Sequence, residues 1–291
     1  MITHIRCLAR ALVAGLALAA LPAPAADVES QRTGGPYVPT PQVVVDEMLR
    51  MARVGPNDFV VDLGSGDGVI VLTAAQKFQA RGFGVDIDPE LVKLSNSEAR
   101  RLGVADRARF FVQDVFKTDI SKATVVTLYL LPGMMVNLRP KIFEELRPGT
   151  RVVSHDYHFA DEWLPDEQYT WDVPEKEKVS GIPSATVYLW IVPAKVAGRW
   201  QLRVAAPTPA AYELTLRQSY KNFEGTAESE GGKGTRFTHT RLRGEEISFA
   251  LPAAGGRHLF RGRVKGDTME GSVELAGGKG TARWSATRLK G

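Results

Sequence analysis

The chain has 291 residues, of which 44% are hydrophobic and 24% are charged, and this composition excludes a disordered or fibrous protein. Because Cys7 is the one cysteine of the sequence, a disulfide framework and a cysteine zinc site are excluded. Charge is distributed unevenly, because residues 27–198 hold 19 Lys and Arg against 24 Asp and Glu, whereas residues 199–291 hold 16 against 9. An acidic half followed by a basic half predicts two domains.

Residues 1–25 have the pattern of a secretory signal peptide. Two arginines precede an apolar run at 11–21, which is too short to span a bilayer, and Ala-Pro-Ala at 23–25 forms a cleavage site. The pattern predicts export to a bacterial periplasm or beyond. A true start near Val28 is the alternative, and it would leave a cytoplasmic protein with every later motif intact.

The first predicted helix of the mature chain lies between Val43 and Val54, in a run with an amphipathic pattern. Thr40 suits the N-cap position, and Pro41 suits the first helical residue. The helix leads into the first predicted strand.

Residues 58–88 predict a strand, a glycine-rich turn, a helix and a second strand. The apolar run at 59–63 suits a buried parallel strand. Three glycines follow at alternate positions and allow a ligand to approach the backbone closely. The run at 69–80 predicts a helix whose N-terminus faces that ligand and favours an anionic group on it.

An acid inside the turn, Asp67, distinguishes it from the dinucleotide-binding turn G-x-G-x-x-G. A carboxylate there would repel a pyrophosphate, but it suits a ligand with an ammonium group and a carboxylate, such as the methionine end of S-adenosylmethionine. The second strand ends in Asp86, which is placed to bind ribose hydroxyls. A glycine turn without a ligand is the alternative.

The pattern D-x-G-x-G-x-G, followed by the acid on the second strand, resembles the class I (seven-strand, Rossmann-like) S-adenosylmethionine-dependent methyltransferases over residues 36–193. The resemblance implies an α/β domain at 36–195 built on a doubly wound seven-strand sheet. It places Tyr37 and Thr40 near the methionine carboxylate, and Asp114 and Val115 at the adenine amino group and ring. The implied cofactor-binding residues are Tyr37, Thr40, Asp62, Gly64, Ser65, Gly66, Asp67, Gly68, Asp86, Ile87, Asp114 and Val115.

The segment after the fourth predicted strand bears on the methyl acceptor. Methyltransferases of base amines usually carry Asn-Pro-Pro-Tyr or Asp-Pro-Pro-Tyr there, whereas this chain has Leu-Tyr129-Leu-Leu-Pro132, then Met134-Met135 and a helix ending in Glu-Leu-x-x-Gly149. This pattern is similar to small protein-lysine methyltransferases of the ATP-synthase c-subunit type. It implies transfer to a protein lysine or another amine and no nucleic-acid partner. The alternatives are a small-molecule methyltransferase and an exported, non-catalytic binding protein that reuses the fold.

His155, Asp156 and His158 follow the fifth predicted strand, where the resembled family usually has basic and proline residues. Ligand crevices open at these strand ends, so we hypothesise that one of the three orients or deprotonates the acceptor. An aromatic pocket that includes Tyr129 and Trp163 would lower the pKa of an acceptor lysine. Ordinary loop residues are the alternative, and no metal site is expected.

Residues 198–291 predict a small all-β domain, either a barrel or a sandwich, because short alternating strands are separated by glycine turns. Gly198-x-Trp200 and Arg288 resemble the closure of lipocalins, in which a terminal arginine covers the tryptophan. The domain is interpreted as a scaffold or a binding module. Its basic surface is expected to dock on an acidic partner or on the catalytic domain.

Overall fold

The computed structural model describes residues 35–207, 209–229 and 232–290. The predicted signal peptide and the alternative start near Val28 lie outside the described residues. Within the described ranges, no helix is both long and apolar enough to cross a membrane. Two sheets organise the chain, one of seven strands and one of nine.

The seven-strand sheet and its helices follow one another in α/β order, as the resemblance implied. The elements are α1 Gln42–Met51, β1 Phe59–Leu63, α2 Val69–Lys77, β2 Arg81–Asp86, α3 Pro89–Arg101, β3 Ala108–Val112, β4 Val125–Leu128, α4 Pro132–Glu145, β5 Arg151–His155, β6 Glu167–Asp172, α5 Pro174–Ser180 and β7 Ser184–Ile191. A short 3₁₀ turn, Asp161–Trp163, precedes β6.

The strand order is β3-β2-β1-β4-β5-β7-β6. The first five strands in this order are parallel, whereas β7 runs antiparallel to both β5 and β6. The order reverses between β1 and β4, and such a switch point opens a crevice at the carboxyl ends of the strands. The predicted doubly wound seven-strand sheet is confirmed.

Both faces of this sheet are covered by helices, which explains the continuous apolar runs of its strands. Val60 of β1 faces a cluster that includes Val44, Met48 and Ala74 from α1 and α2. Its neighbour Val61 faces the opposite cluster, which includes residues of α4. Adjacent strand residues therefore bury opposite faces of one sheet.

Two local predictions at the start of α1 differ from the structure. The helix begins at Gln42 with Pro41 as its N-cap, and no side chain caps it, so the predictions of Thr40 as the cap and Pro41 as the first helical residue were wrong. On α3, the apolar side chain of Leu94 is 53% exposed. Ser95 is buried instead, because its small side chain fits against the glycine turn, where its hydroxyl donates to the Gly66 carbonyl at 3.0 Å.

The C-terminal sheet is a nearly closed antiparallel barrel, which confirms the predicted all-β domain. Its strands are β8 Gly198–Val204, β9 Ala210–Ser219, β10 Asn222–Glu228, β11 Thr235–Arg236, β12 Thr238–Arg243, β13 Glu246–Ala253, β14 Gly256–Lys265, β15 Thr268–Glu274 and β16 Thr281–Arg288. Their order is β11-β10-β9-β8-β16-β15-β14-β13-β12.

The interior of this barrel is filled by side chains. Phe249 and Phe260 stack at 4.8 Å between ring centroids, and Trp284 packs edge-on against both. The Arg288 guanidinium lies 4.2 Å from the centre of the buried Trp200 ring, which is the contact expected from the lipocalin-like closure.

Candidate active site

A cavity of about 830 Å³ opens at the carboxyl ends of β1, β2, β4 and β5. Its size is in the range of small-molecule and cofactor sites. One end, which we call the cofactor end, is lined by the glycine turn after β1 and by residues that follow β2 and β3. The other, the acceptor end, is lined by Tyr129, Asp156 and Tyr157, which follow β4 and β5.

The glycine turn is held in place from two sides. The amides of Gly64 and Ser65 both donate to the Val85 carbonyl at 2.9 Å, and the amide of Gly66 donates to Asp86 Oδ2 at 2.9 Å. Gly66 has φ +51°, and a Cβ there would lie 2.5 Å from the Tyr37 ring. The turn therefore requires glycine at this position, both for its backbone conformation and for close approach of the ring.

Asp62 lies at the switch point, at the inner end of the cavity. It is buried, and its Oδ1 accepts a hydrogen bond from the Thr127 hydroxyl at 2.6 Å, across from β1 to β4. Burial raises the pKa of Asp62 to about 7, although the Thr127 bond acts in the opposite direction. Near neutral pH, Asp62 of the free protein is therefore expected to exchange between its neutral and its charged form.

This raised pKa predicts proton release when a cation binds at the cofactor end. A bound ammonium group favours the carboxylate form, so at pH 6.5 we expect net proton release, of less than one proton, for each S-adenosylmethionine bound. The affinity for S-adenosylmethionine should rise with pH up to about 7. Above that pH it should level off, because Asp62 is then already deprotonated. Calorimetric titration in buffers of different ionisation enthalpy measures the release. The Asp62→Asn variant should lack it, and an unchanged release in that variant would contradict the assignment.

The remaining predicted cofactor residues are placed as follows. Asp86, Ile87, Asp114 and Val115 line the cavity where β2 and β3 end, and Tyr37, Thr40, Ser65 and Asp67 line it around the glycine turn. Gly68 lies behind the wall of the cavity. It is the N-cap residue of α2 and has a left-handed backbone conformation. Among the predicted cofactor residues, Gly68 alone is outside the lining of the cavity.

The cofactor end fits S-adenosylmethionine. The Ser65 hydroxyl is buried in the wall and has no hydrogen-bond partner among the described residues, as expected of a group that meets a ligand. Within the described part of the chain, Asp86 Oδ1 accepts only from the Asp88 amide, so the carboxylate retains lone pairs for ribose hydroxyls. Ile87 is exposed in the cavity next to Asp86, where an apolar side chain would meet the nucleoside.

The acceptor end is organised by Asp156. This residue has φ +60°, and its Oδ1 accepts from the Thr186 amide at 3.1 Å. Its Oδ2 lies 2.5 Å from the ammonium of Lys176, whose side chain is only 3% exposed. The Lys176 ammonium also donates to the Ser184 carbonyl at 2.5 Å. A buried ion pair therefore fixes one face of the acceptor end.

Tyr129 lies beside this carboxylate. Burial, together with the charge of Asp156, raises the pKa of the Tyr129 hydroxyl above its usual range, so the hydroxyl stays protonated. Its ring stacks on Tyr157 with 6.2 Å between centroids. Tyr129 can donate a hydrogen bond at the acceptor end but cannot serve there as a base near neutral pH.

The structure does not bring the two predicted histidines into the cavity. His155 is fully buried at the end of β5, with its ring 4.0 Å from that of Tyr129 and neither ring nitrogen hydrogen-bonded within the described residues. Burial lowers its pKa to about 4, so the ring is neutral at physiological pH. His158 is exposed outside the cavity, near Tyr188. Trp163 is buried in the core, stacked on Phe159.

Helix α5 contributes residues that the sequence reasoning missed. Ser180 and Ile182 line the cavity, and Lys176 holds Asp156. Helix start and stop signals were present, since Pro174 occupies the first turn and Gly181 ends the helix in a left-handed conformation. The sequence analysis did not predict this helix, because it has only seven residues and lies between two strands.

Comparisons with known proteins agree with this geometry. Residues 62–167 match the ANTKMT methyltransferase domain family. A protein-lysine N-methyltransferase of Saccharolobus islandicus is 42% identical over 159 residues, which are 54% of this chain and 93% of that protein. The ATP-synthase c-subunit lysine N-methyltransferase of Xenopus laevis is 36% identical over 50% of this chain and 67% of that protein.

Solved structures include an RNA methyltransferase from Salinibacter ruber in complex with S-adenosyl-L-homocysteine. It is 49% identical, covers 55% of this chain and 96% of its own, and superposes with a TM-score of 0.49. Because the lysine methyltransferase from Saccharolobus islandicus is matched over nearly its whole length, the relationship covers a complete enzyme. The chain belongs to the S-adenosylmethionine-dependent protein-lysine N-methyltransferases.

Proposed function

We propose that this protein methylates the side-chain amine of a lysine that enters the acceptor end of the cavity, beside Tyr129 and Asp156. The proposal rests on one observation, which is that a single cavity joins the nucleoside-binding residues to an aromatic pocket with a fixed carboxylate. The names of the relatives matched above support a protein as the substrate.

The residues of the cofactor end would hold S-adenosylmethionine, with Asp62 and the glycine turn at its methionine end, Asp86 at the ribose and Asp114 at the adenine. When bound, the cofactor supplies a methyl group on a sulfonium, which is already an activated leaving group. Alignment of the attacking amine then provides much of the rate. The contribution of the chain at the acceptor end is therefore to orient a neutral amine.

The ion pair of Asp156 and Lys176 suits that task. A lone carboxylate would stabilise the ammonium form of the acceptor and oppose its deprotonation. The charge of Lys176 offsets that effect, while Asp156 can still accept an N–H hydrogen bond from the amine. Tyr129 packs its ring against the same space and keeps its hydroxyl protonated. An apolar, aromatic wall further favours the neutral amine.

Tyr129→Phe tests this arrangement. We expect kcat to fall about tenfold with the cofactor Kd unchanged, because one hydrogen bond at the acceptor end is lost while the cofactor end is intact. Steady-state kinetics with lysine-containing acceptors and calorimetry with the cofactor separate the two effects. Tyr169→Phe, on the exposed edge strand β6, is the matched control. A Tyr129→Phe enzyme as fast as the control would remove Tyr129 from the mechanism.

We further propose that the basic C-terminal domain docks on the catalytic domain of its own chain. The Tyr220 ring stacks on Trp163 with 5.1 Å between centroids, and it packs edge-on against Phe143. Lys221 donates to the Pro165 carbonyl at 2.8 Å, and Arg243 pairs with Glu167 at 2.9 Å. These contacts support an intramolecular interface.

Tyr220→Ala is expected to destabilise the full chain by about 3 kcal/mol, because a packed aromatic ring is removed. Differential scanning calorimetry is expected to show one transition for the wild type and two for the variant. Tyr169→Ala, which truncates an exposed tyrosine, should cost less than about 1 kcal/mol. A Tyr220→Ala protein with the wild-type transition would argue against the docked arrangement.

Export remains part of the proposal. The charged start, the apolar run at 11–21 and the Ala-Pro-Ala at 23–25 support a signal peptide. Fractionation of the native protein, with mass spectrometry of its N-terminus, tests this. A start at residue 26 in the periplasmic fraction is expected. A cytosolic protein that begins near Val28 would overturn it.

A further inference from the structure

A row of alternating arginine and serine residues crosses the outer face of the C-terminal barrel. Arg241 on β12 is paired in register with Ser248 on β13, and Ser248 with Arg261 on β14. Arg261 is paired with Ser272 on β15, and Ser272 with Arg283 on β16. Each of the five has a buried neighbour along its strand, so all five side chains project outward; these neighbours are Leu242, Ile247, Phe260, Val273 and Ala282. We call these five residues the arginine track.

The track forms the floor of an open groove of about 820 Å³, which all five residues line. Arg241 and Arg283 have no ion-pair partner among residues 35–207, 209–229 and 232–290, whereas Arg261 pairs with Glu274. The next row along the strands is different. There Arg243, Glu246, Arg263 and Glu270 alternate in register, and the two arginines pair with Glu167 and Glu245. Of these two rows across β12 to β16, the one that contains arginines without an ion-pair partner is therefore the track.

The shape of the track argues for a linear ligand and against a membrane. Glu246 and Glu270 lie on one side of the track, and Glu274 lies on the other. A flat anionic membrane would press its head groups against these carboxylates as well as against the arginines. A single extended chain can follow the track between them. Charge complementarity therefore favours a linear anionic ligand over a flat membrane surface.

The chemistry of the track argues for carboxylates on a polypeptide and against a nucleic-acid strand. Proteins that bind single-stranded nucleic acid usually combine basic residues with aromatic side chains on which bases stack, and the track consists of arginine and serine alone. Arginine forms bidentate pairs with carboxylates, and the serine hydroxyls between the arginines can bond the peptide backbone.

The distance between the arginines of the track predicts the spacing of the acidic residues in a peptide that binds it. Neighbouring strands lie about 4.8 Å apart, so arginines on every second strand are about 10 Å apart. A peptide in the extended polyproline II conformation advances about 3.1 Å per residue with three residues per turn, so acids three residues apart share one face and lie about 9 Å apart, close to this distance. We propose that the arginine track binds an extended acidic segment of a partner protein, with acids at positions i, i+3 and i+6. The proposal does not depend on which residue the enzyme methylates.

Fluorescence anisotropy of labelled peptides with the full chain tests the proposal. One peptide of about ten residues carries Glu at i, i+3 and i+6 among Gly, Ser and Thr, and a second of the same composition carries the three Glu in succession. We expect the spaced peptide to bind at least tenfold more tightly, with an affinity that falls as salt is raised. The double variant Arg241→Gln, Arg283→Gln should lose at least tenfold in affinity for it.

The control variant is Arg217→Gln, which removes an exposed arginine on β9, outside the track and opposite Glu224. Its affinity should stay within about twofold of the wild type. Circular dichroism of all variants reports whether the barrel is folded, and Arg241→Lys with Arg283→Lys provides a second, conservative pair. Equal binding of the two peptides, or an unchanged affinity in folded track variants, would overturn the proposal. Binding to anionic lipid vesicles that depends on the track, without binding of either peptide, would overturn it in favour of a membrane surface.

Discussion

Asp86→Ala is expected to lower the affinity for S-adenosylmethionine at least about a hundredfold. A carboxylate that accepts hydrogen bonds from two ribose hydroxyls contributes about 1.5–3 kcal/mol for each, and about 2.7 kcal/mol corresponds to a hundredfold change in Kd. Asp86 also holds the Gly66 amide at 2.9 Å, so the variant loosens the turn that faces the methionine end. Isothermal titration calorimetry of the full chain measures the effect.

Two further variants make this result interpretable. Asp86→Asn keeps an oxygen for the Gly66 amide but lacks the charge, so its affinity should lie between those of the wild type and Asp86→Ala. Asp106→Ala removes an exposed acid in the loop before β3 and should leave Kd within about twofold. If folded Asp86→Ala bound the cofactor as tightly as Asp106→Ala, the cofactor would not lie against β2.

Lys176→Met is expected to destabilise the protein by about 3–5 kcal/mol. The substitution keeps the apolar stem of a side chain that is 3% exposed but leaves the Asp156 carboxylate without its charged partner, and an unpaired charge near the core is costly. The same change should shift the rise of the pH–rate profile to higher pH. Without the charge of Lys176, Asp156 stabilises the ammonium form of the acceptor lysine.

The measurements are chemical denaturation and kcat as a function of pH, with Lys178→Met as the control. Lys178 is exposed on the same helix, so its loss should cost less than about 0.5 kcal/mol and leave the profile unchanged. The double variant Asp156→Asn, Lys176→Met should recover part of the lost stability, because no charge is then left unpaired. Lys176→Met and Lys178→Met variants of equal stability would contradict the account.

The glycine turn and the ribose acid of the cofactor end could be predicted from sequence because they lie within one βαβ unit. The strand, the turn and the acid on the second strand have a fixed spacing from Asp62 to Asp86, and local backbone geometry brings them together. The closure of the barrel, where Arg288 covers Trp200, joins residues far apart in the chain, and it was expected from the resemblance to lipocalins instead.

The acceptor half depends on contacts that local patterns do not contain. Successive strand residues point to opposite faces, so a shift of one position along β5 decides whether His155 faces the cavity or the core. The partner of Asp156 lies twenty positions along the chain on α5, and only the pairing of β5 with β7 brings the two together. The inward position of Ser95 in place of Leu94 is set by the glycine turn against which α3 packs.

The most direct test of the central claim is mass spectrometry of proteins incubated with the enzyme and methyl-labelled S-adenosylmethionine, with Asp86→Ala in parallel. An extract of the envelope of the source cell provides the candidate acceptors. At a cofactor concentration near the wild-type Kd, the account predicts labelled methyl groups on lysine side chains in the wild-type reaction and only about a fiftieth as much label in the Asp86→Ala reaction. Label found on small molecules or on residues other than lysine, or lysine methylation at the wild-type level in the variant, would contradict it.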